Sequence, residues 1–327
     1  MYKVLIVGAG NIASEYDDAT STVFLTHAHA FVNHPHFELI GFVDPDIIKG
    51  INASSKWGTR HFTNLDQAFK YYSNIDIVCI AVPDDLHFNV LQQVANYRPK
   101  LVFTEKPLTN TLEQAHIIER LYRELHIPVL INFKRAFIPE ILDVINSVKR
   151  NDFGEFKNCY GFYNRGFKHN ASHLLDLIIR FTGCKELKLM NVIDSISDFS
   201  IDDPSHSFVA STDNNAVVVI KSFSGESYPI FELDLHYSSG RIRLFNTGEK
   251  LEIYRVQPSS AFSGVNFLQP KDCIDTSLHQ SMLHAANNIF EYLSMGKPLR
   301  VPIADGIEVM KLTEQVLKDI KNKSCLN

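Results

Sequence analysis

The sequence is short of cysteine, of tryptophan and of any long apolar run, and it has no excess of basic charge. Its five cysteines (Cys79, Cys159, Cys184, Cys273, Cys325) are scattered, with no C-x-x-C pair. An odd, unpatterned set argues against a disulfide framework and for reduced thiols in a cytoplasmic protein. The formal net charge of -5 lacks the basic face of a nucleic-acid binder, though a local basic pocket stays compatible with it. No stretch approaches the roughly 20 apolar residues of a membrane span. Val4-Leu5-Ile6-Val7, ahead of the first glycine, is too short for the apolar region of a signal peptide. A soluble, cytoplasmic protein with neither nucleic acid nor membrane as partner is therefore expected. Histidines are present in pairs, His27-x-His29 and His34-Pro-His36, but no cysteine or carboxylate cluster completes a zinc set, so no metal is expected.

What is there is size and alternation. A chain of 327 residues exceeds the length at which one core usually stops growing, so two domains are expected. Up to residue 133, apolar β-rich runs at 3–7, Glu38–Val43, Ile75–Val82, Leu101–Thr104 and Val129–Phe133 read as strands buried on both faces. Between them lie helical patterns at Thr26–Asn33, Leu65–Tyr72, Leu86–Asn96 and Leu112–Leu125, the last behind a capping box, Thr111-x-x-Gln114. Strands alternating with helices predict a doubly wound parallel sheet.

Beyond residue 134 the pattern changes. Short strand-like segments run from Phe156 to Val256, separated by turn clusters such as Thr212-Asp213-Asn214-Asn215. Helices are expected at Pro139–Lys149, His173–Phe181, Leu278–Leu293 and Asp305–Lys321. The fold class is thus α/β: a Rossmann domain over 1–133, then an α+β domain over 134–327 with a large, mostly antiparallel open sheet. The C-terminal helix is the element expected to pack back on the first domain.

Chemistry enters at Gly8-Ala9-Gly10-Asn11-Ile12-Ala13, directly after the first strand. The first glycine allows a tight strand-to-helix turn and the second lets backbone approach a pyrophosphate. Helix N-terminal N–H groups then face the anion. Asp44, closing the second strand, is the acidic residue for the ribose hydroxyls; its charge favours NAD over NADP. Its spacing from Gly10 is longer than usual and fits an inserted loop over Glu15–Phe24. A turn or N-cap aspartate before Pro45 is the alternative.

Further along come Ala81-Val82-Pro83, Glu105-Lys106-Pro107 and Phe133-Lys-Arg135-Ala-Phe137-Ile-Pro139. Then follow Gly166-Phe-Lys-His169-Asn170-Ala-Ser-His173-Leu-Leu-Asp176 and Gly296-Lys-Pro298…Asp305-Gly306. With these in order the chain resembles the glucose–fructose oxidoreductase / inositol dehydrogenase / rhizopine-catabolism (Gfo/Idh/MocA) family along essentially its whole length. The resemblance implies hydride transfer between NAD and a sugar, sugar derivative or polyol, and a homodimer or homotetramer formed through the C-terminal sheet. It adds Ala81, Val82, Pro83, His87, Glu105 and Lys106 to the cofactor residues. Lys106 would also steady the reacting oxygen, because a cation there stabilises a developing alkoxide. His173 would be the general acid/base, since imidazole titrates near neutral pH.

Asp176 either contacts substrate, orients neighbours or simply faces the helix dipole. The family often reads Asp-x-x-x-His at this motif, but here the first position is His169, so His169 either assumes part of the polar role or the relay is absent. Arg135, Tyr163, Arg165, Lys168 and Asn170 are the candidate substrate contacts, the basic ones suiting a phosphate, carboxylate or nucleotide-sugar; solvated loop charge is the plainer reading. Two other functions stay open. One is a redox-neutral lyase or epimerase with tightly held NAD; the other is a non-catalytic regulatory protein that binds NAD and a sugar.

Overall fold

A computed structural model describes residues Met1–Ser324; Cys325 lies outside the described residues. The chain divides into two compact units, Met1–Phe137 with His279–Ile307, and Ile138–Leu278 with the segment from Glu308 onward.

The first unit opens with β1 (Tyr2–Val7), whose Val4, Leu5 and Ile6 have no exposed surface. Burying side chains of this kind is worth about 1.5–3 kcal/mol each, which fixes the strand at the sheet centre. A one-turn helix at Asn11–Glu15 and a loop follow, and then α1 (His27–Asn33). Thr26, inside the expected helix Thr26–Asn33, instead caps α1 through the N–H of His29. The loop is held from within: buried Asp17 accepts from the N–H groups of Leu25 and Thr26, from the Thr26 hydroxyl and from the His29 ring.

The chain continues through β2 (Phe37–Val43), α2 (Ile47–Trp57), β3 (Arg60–Phe62), α3 (Leu65–Tyr71), β4 (Ile77–Ile80), α4 (His87–Ala95), β5 (Leu101–Thr104), α5 (Leu112–Glu124) and β6 (Val129–Ile131). All six strands are parallel, in the order β3-β2-β1-β4-β5-β6, so the strand order reverses between β1 and β4. The sequence pattern did not predict α2 or β3. Gly50, Asn52, Ser54 and Ser55 dilute the helical signal of α2; Gly50 is there because a Cβ would meet the His61 ring at 2.0 Å. Only half of the α5 capping box forms: Thr111 accepts from the Gln114 N–H, but the Gln114 side-chain oxygen is buried without a partner among the described residues.

The second unit holds α6 (Pro139–Lys149), β7 (Phe156–Tyr163), α7 (Ser172–Thr182), β8 (Leu187–Ser200), β9 (Asp203–Thr212), β10 (Val217–Ser222), β11 (Phe231–Tyr237), β12 (Gly240–Phe245), β13 (Lys250–Pro258) and β14 (Asn266–Asp275). Their sheet runs β14-β13-β12-β11-β7-β10-β9-β8, antiparallel except where β10 lies parallel to β7. In β11 and β12 alternate side chains are buried, the period-2 pattern the sequence predicts. The edge strand β14 was not predicted; nearly all of it is exposed, so no alternation marks it.

Two last helices are α8 (Ser281–Met295) and α9 (Ile303–Ser324). Against the boundary expected at 133/134, α8 groups with the first unit. The contacts are specific: Asn287 bonds His34, Phe290 stacks on His36 at 4.0 Å, and Met282 receives an N–H from Asn132. So α8, rather than most of the C-terminal helix, is the late element belonging with the dinucleotide fold. No helix among the described residues is long and apolar enough to cross a membrane.

Replacing Thr26 by Val removes the cap on α1 and should cost about 1–2 kcal/mol, read from urea denaturation, whereas Thr26→Ser should stay close to wild type. Equal stability in the two variants would show that the cap does not hold α1.

Candidate active site

The first unit gathers the candidate cofactor residues around the reversal point between β1 and β4, where open α/β sheets take their ligands. Gly8 has φ +101°, and a Cβ there would lie 2.4 Å from the Ala81 carbonyl oxygen, so only glycine fits. Gly10 is different. Its φ of −82° suits any residue, and among the described residues nothing beyond its own chain neighbours lies within 4 Å of where its Cβ would be. Nothing in the chain demands glycine there, whereas a pyrophosphate lying against the backbone does. The turn therefore fits a dinucleotide.

Asp44 meets this turn directly. One carboxylate oxygen accepts the Ala9 N–H at 2.8 Å and the other the Asp46 N–H at 2.9 Å. The residue thus braces the glycine turn from the end of β2. Asn11 is exposed and Ile12 part-exposed, on the one-turn helix that opens after Gly10. Val82 and Pro83 reach the surface after β4, while Ala81 is buried. His87 corrects an expectation: it has no exposed surface, and its two ring nitrogens face the carbonyls of Val82 (3.0 Å) and Pro107 (2.6 Å). It ties the β4 turn to the Glu105-Lys106-Pro107 turn and does not itself present a surface to cofactor.

Glu105 is the centre of a buried polar group that spacing alone cannot reveal. Its carboxylate accepts from His27 Nε2 at 2.8 Å and from the Asn132 amide at 2.6 Å. Burial pushes its pKa up, but the bonds and charge of His27, the Asn132 bond and the charge of Lys106 outweigh burial and hold it below the ordinary carboxylate value. Among the described residues, His27 Nδ1 and Asn132 Oδ1 are buried without hydrogen-bond partners. Lys106 itself is 9% exposed. Lys134 and Arg135 stand on the 3-10 turn Lys134–Phe137, and Arg135 is buried. Burial, then the charges of Arg135 and Lys106, push the Lys134 amine down to about 8 against the opposing charge of Glu105. The histidine pairs have structural partners: His29 faces Asp17, and His34 bonds Asn287. Among the described residues no group of His, Cys, Asp and Glu is arranged to hold a metal ion.

The second unit places the other motif on β7, a short π-type turn at Phe167–Ala171 and α7. His173 lies in the first turn of α7 and is 8% exposed. Asp176 is turned to Arg180, whose Nε lies 2.9 and 3.0 Å from its two oxygens. This ion pair, with Asp176 buried and Arg180 part-buried, braces α7. Tyr163 is also corrected: it is fully buried, its hydroxyl donating to the His206 carbonyl (2.9 Å) and accepting the His206 N–H (2.6 Å). The Asn170 amide donates to the Asn164 carbonyl at 2.7 Å. Arg165, Lys168 and His169 are exposed. The His169 ring stacks on Phe199, with centroids 4.4 Å apart, and no carboxylate replaces it in the sequence motif.

Residues 2–133 match the profile of the Gfo/Idh/MocA family, described as an oxidoreductase family with an NAD-binding Rossmann fold. The match lies within the first unit and identifies residues 2–133 as an NAD-binding Rossmann domain of that family's type. No curated protein matches the sequence. Among solved structures the chain is similar to UDP-N-acetylglucosamine 3-dehydrogenase GnnA from Acidithiobacillus ferrooxidans, at 16% identity and TM-score 0.74, over 96% of this chain and 95% of that one. It is also similar to a putative myo-inositol dehydrogenase from Sinorhizobium meliloti 1021, at 16% identity and TM-score 0.72, over 99% and 98% of the two chains. A super-repressor mutant of Gal80p from Saccharomyces cerevisiae shares the fold too, at 15% identity and TM-score 0.72, over 97% and 95%. At these identities the likeness is one of fold.

The two glycines of the turn make opposite predictions. Gly8→Ala should destabilise the protein by at least about 2 kcal/mol, from strain and a backbone clash. Gly10→Ala should melt as wild type yet bind NAD at least about tenfold more weakly; wild-type affinity would show that the open space at Gly10 is not the phosphate cradle. A second test reads Lys134. Removing a neighbouring anion disfavours an ammonium, so Glu105→Gln should lower the Lys134 pKa further below 8. The rate of acylation at Lys134 as a function of pH measures the shift, and a rise in pKa would contradict the cluster.

Proposed function

We propose that the chain is an NAD-dependent oxidoreductase acting on the CH–OH group of a sugar, sugar derivative or polyol, nucleotide-linked forms included. The observation that carries this reading is Lys106: a buried cation next to a part-buried carboxylate, in the same unit as a glycine turn that fits a dinucleotide. The activities after which GnnA and the putative inositol dehydrogenase are named agree with it.

NAD, when bound, supplies the hydride acceptor; Gly8, Ala9, Gly10, Asn11, Ile12 and Asp44 are the residues that hold it. Lys106 steadies the substrate oxygen as it gains negative charge. The His173 imidazole takes the hydroxyl proton in the oxidative direction and returns it in the reductive one. Arg135, Arg165, Lys168 and Asn170 orient the substrate. His169 stacks on Phe199 and serves binding, so His173 works without the carboxylate common at the 169 position. We further assign assembly to the exposed face of the second unit's sheet, as a homodimer or homotetramer in the cytoplasm.

Lys106→Ala and His173→Ala should each lower kcat/KM by about 10²- to 10⁴-fold, measured by nicotinamide absorbance on the sugar, sugar acid or nucleotide sugar that a substrate screen selects. Full turnover in both variants would sink the assignment. Product formation without net NADH would favour the redox-neutral reading. The missing carboxylate at 169 and the likeness to the Gal80p mutant favour a regulatory reading as second choice, which the finding of no turnover on any substrate with NAD bound would support.

A further inference from the structure

One region of the second unit combines backbone strain, internal bracing and exposed aromatic surface. Arg165 has φ +68°, a left-handed conformation that is costly for a residue with a side chain. Gly166 follows at φ +85°, and a Cβ there would lie 2.3 Å from an Asp203 oxygen. The strain is held by two carboxylates turned inward. Asp198 accepts the N–H of Arg165 at 2.5 Å and the Ser205 hydroxyl at 2.7 Å. Asp203 accepts the N–H groups of Lys168 at 2.8 Å and His169 at 2.9 Å. A third segment is tied to the same place, because the buried Asn164 side chain donates to the Tyr228 carbonyl and accepts the Ile230 N–H.

On this braced frame the outward side chains are of two kinds. Phe199 and Tyr228 are 52% and 64% exposed, and Phe199 carries the stacked His169 ring. Arg165 and Lys168 extend cations from the strained turn, and among the described residues neither side chain is in an ion pair with a carboxylate. Exposed aromatic faces on rigid backbone are poor solubility choices and good binding surfaces. A planar ring stacks on such a face, and a guanidinium with a nearby ammonium binds phosphate oxygens.

We propose that the segments Asn164–His169, Phe199–Asp203 and Tyr228–Ile230 form a handle subsite for a nucleoside diphosphate group, with its base on the Phe199–His169 stack and its phosphates on Arg165 and Lys168. The inference rests on the dehydrogenase reading above for its role, as the anchor of a nucleotide-linked substrate. Binding itself needs no turnover. Asp202 and Glu226, exposed in neighbouring turns, limit the anionic charge the site tolerates.

Calorimetric titration of UDP into the full chain, with saturating NAD present to fill the dinucleotide site, tests it directly. UDP should bind saturably, and Phe199→Ala and Arg165→Ala should each weaken it about tenfold or more, while Phe199→Tyr keeps the stack and the affinity. Pyrophosphate and uridine, each engaging one half, should bind more weakly than UDP. No saturable UDP binding, unchanged affinity in both truncations, or pyrophosphate binding as tightly as UDP would overturn the proposal. Each of those results leaves the dehydrogenase reading to its own kinetic test, and loss of turnover in Lys106→Ala leaves the UDP result standing.

Discussion

The approach of the Ala81 carbonyl to Gly8 is the contact on which the first unit's chemistry depends. The ends of β1 and β4 come together there because one residue has no Cβ. That closeness sets the glycine turn beside the β4 turn at the point where strand order reverses. Asp44 then fixes the turn from the β2 side through the Ala9 N–H. From the other side His87 links Val82 to Pro107, so the placement of the Glu105-Lys106-Pro107 turn is referred back to the same junction. Each link is a short backbone contact or a bond to backbone, which makes the arrangement rigid before any ligand arrives.

A second constraint is electrostatic. Glu105 stays charged in a buried setting because His27 and Asn132 donate to it and Lys106 lies near. Removing one partner from such a group leaves an uncompensated charge, which is costly in a protein interior. The inserted loop ahead of α1 thereby acquires a purpose: it delivers His27 to Glu105, with Asp17 and Thr26 holding the loop's shape. The surplus of cations at Lys106, Lys134 and Arg135 lowers the Lys134 pKa and favours an anionic or oxygen-rich ligand nearby.

Much of this was legible in the sequence. Runs such as Val4–Val7 and Leu101–Thr104 could hardly be anything but buried strands, and the glycine turn follows one of them. The inserted loop and the mostly antiparallel second sheet were also readable from spacing and turn clusters. Three features were not. The partnership of His27 with Glu105 spans 78 residues and has no local signature. Asp198 and Asp203 look like ordinary loop acids until folding turns them onto the Arg165–His169 backbone. α8 has a plain amphipathic pattern that does not say which unit it packs on. Tyr163 and His87 mark the reverse error, since motif position suggested ligand contact where burial and bonding give each a structural partner.

The central claim is that the glycine turn and Asp44 hold NAD. Each Asp44 oxygen already accepts one backbone N–H and retains capacity for ribose hydroxyls, while its charge repels a 2′-phosphate. Fluorescence or calorimetric titration of the wild-type chain with NAD and with NADP measures this directly. The account predicts saturable NAD binding with NADP at least about tenfold weaker. Tighter binding of NADP would contradict the role of Asp44, and no binding of either would contradict the site itself.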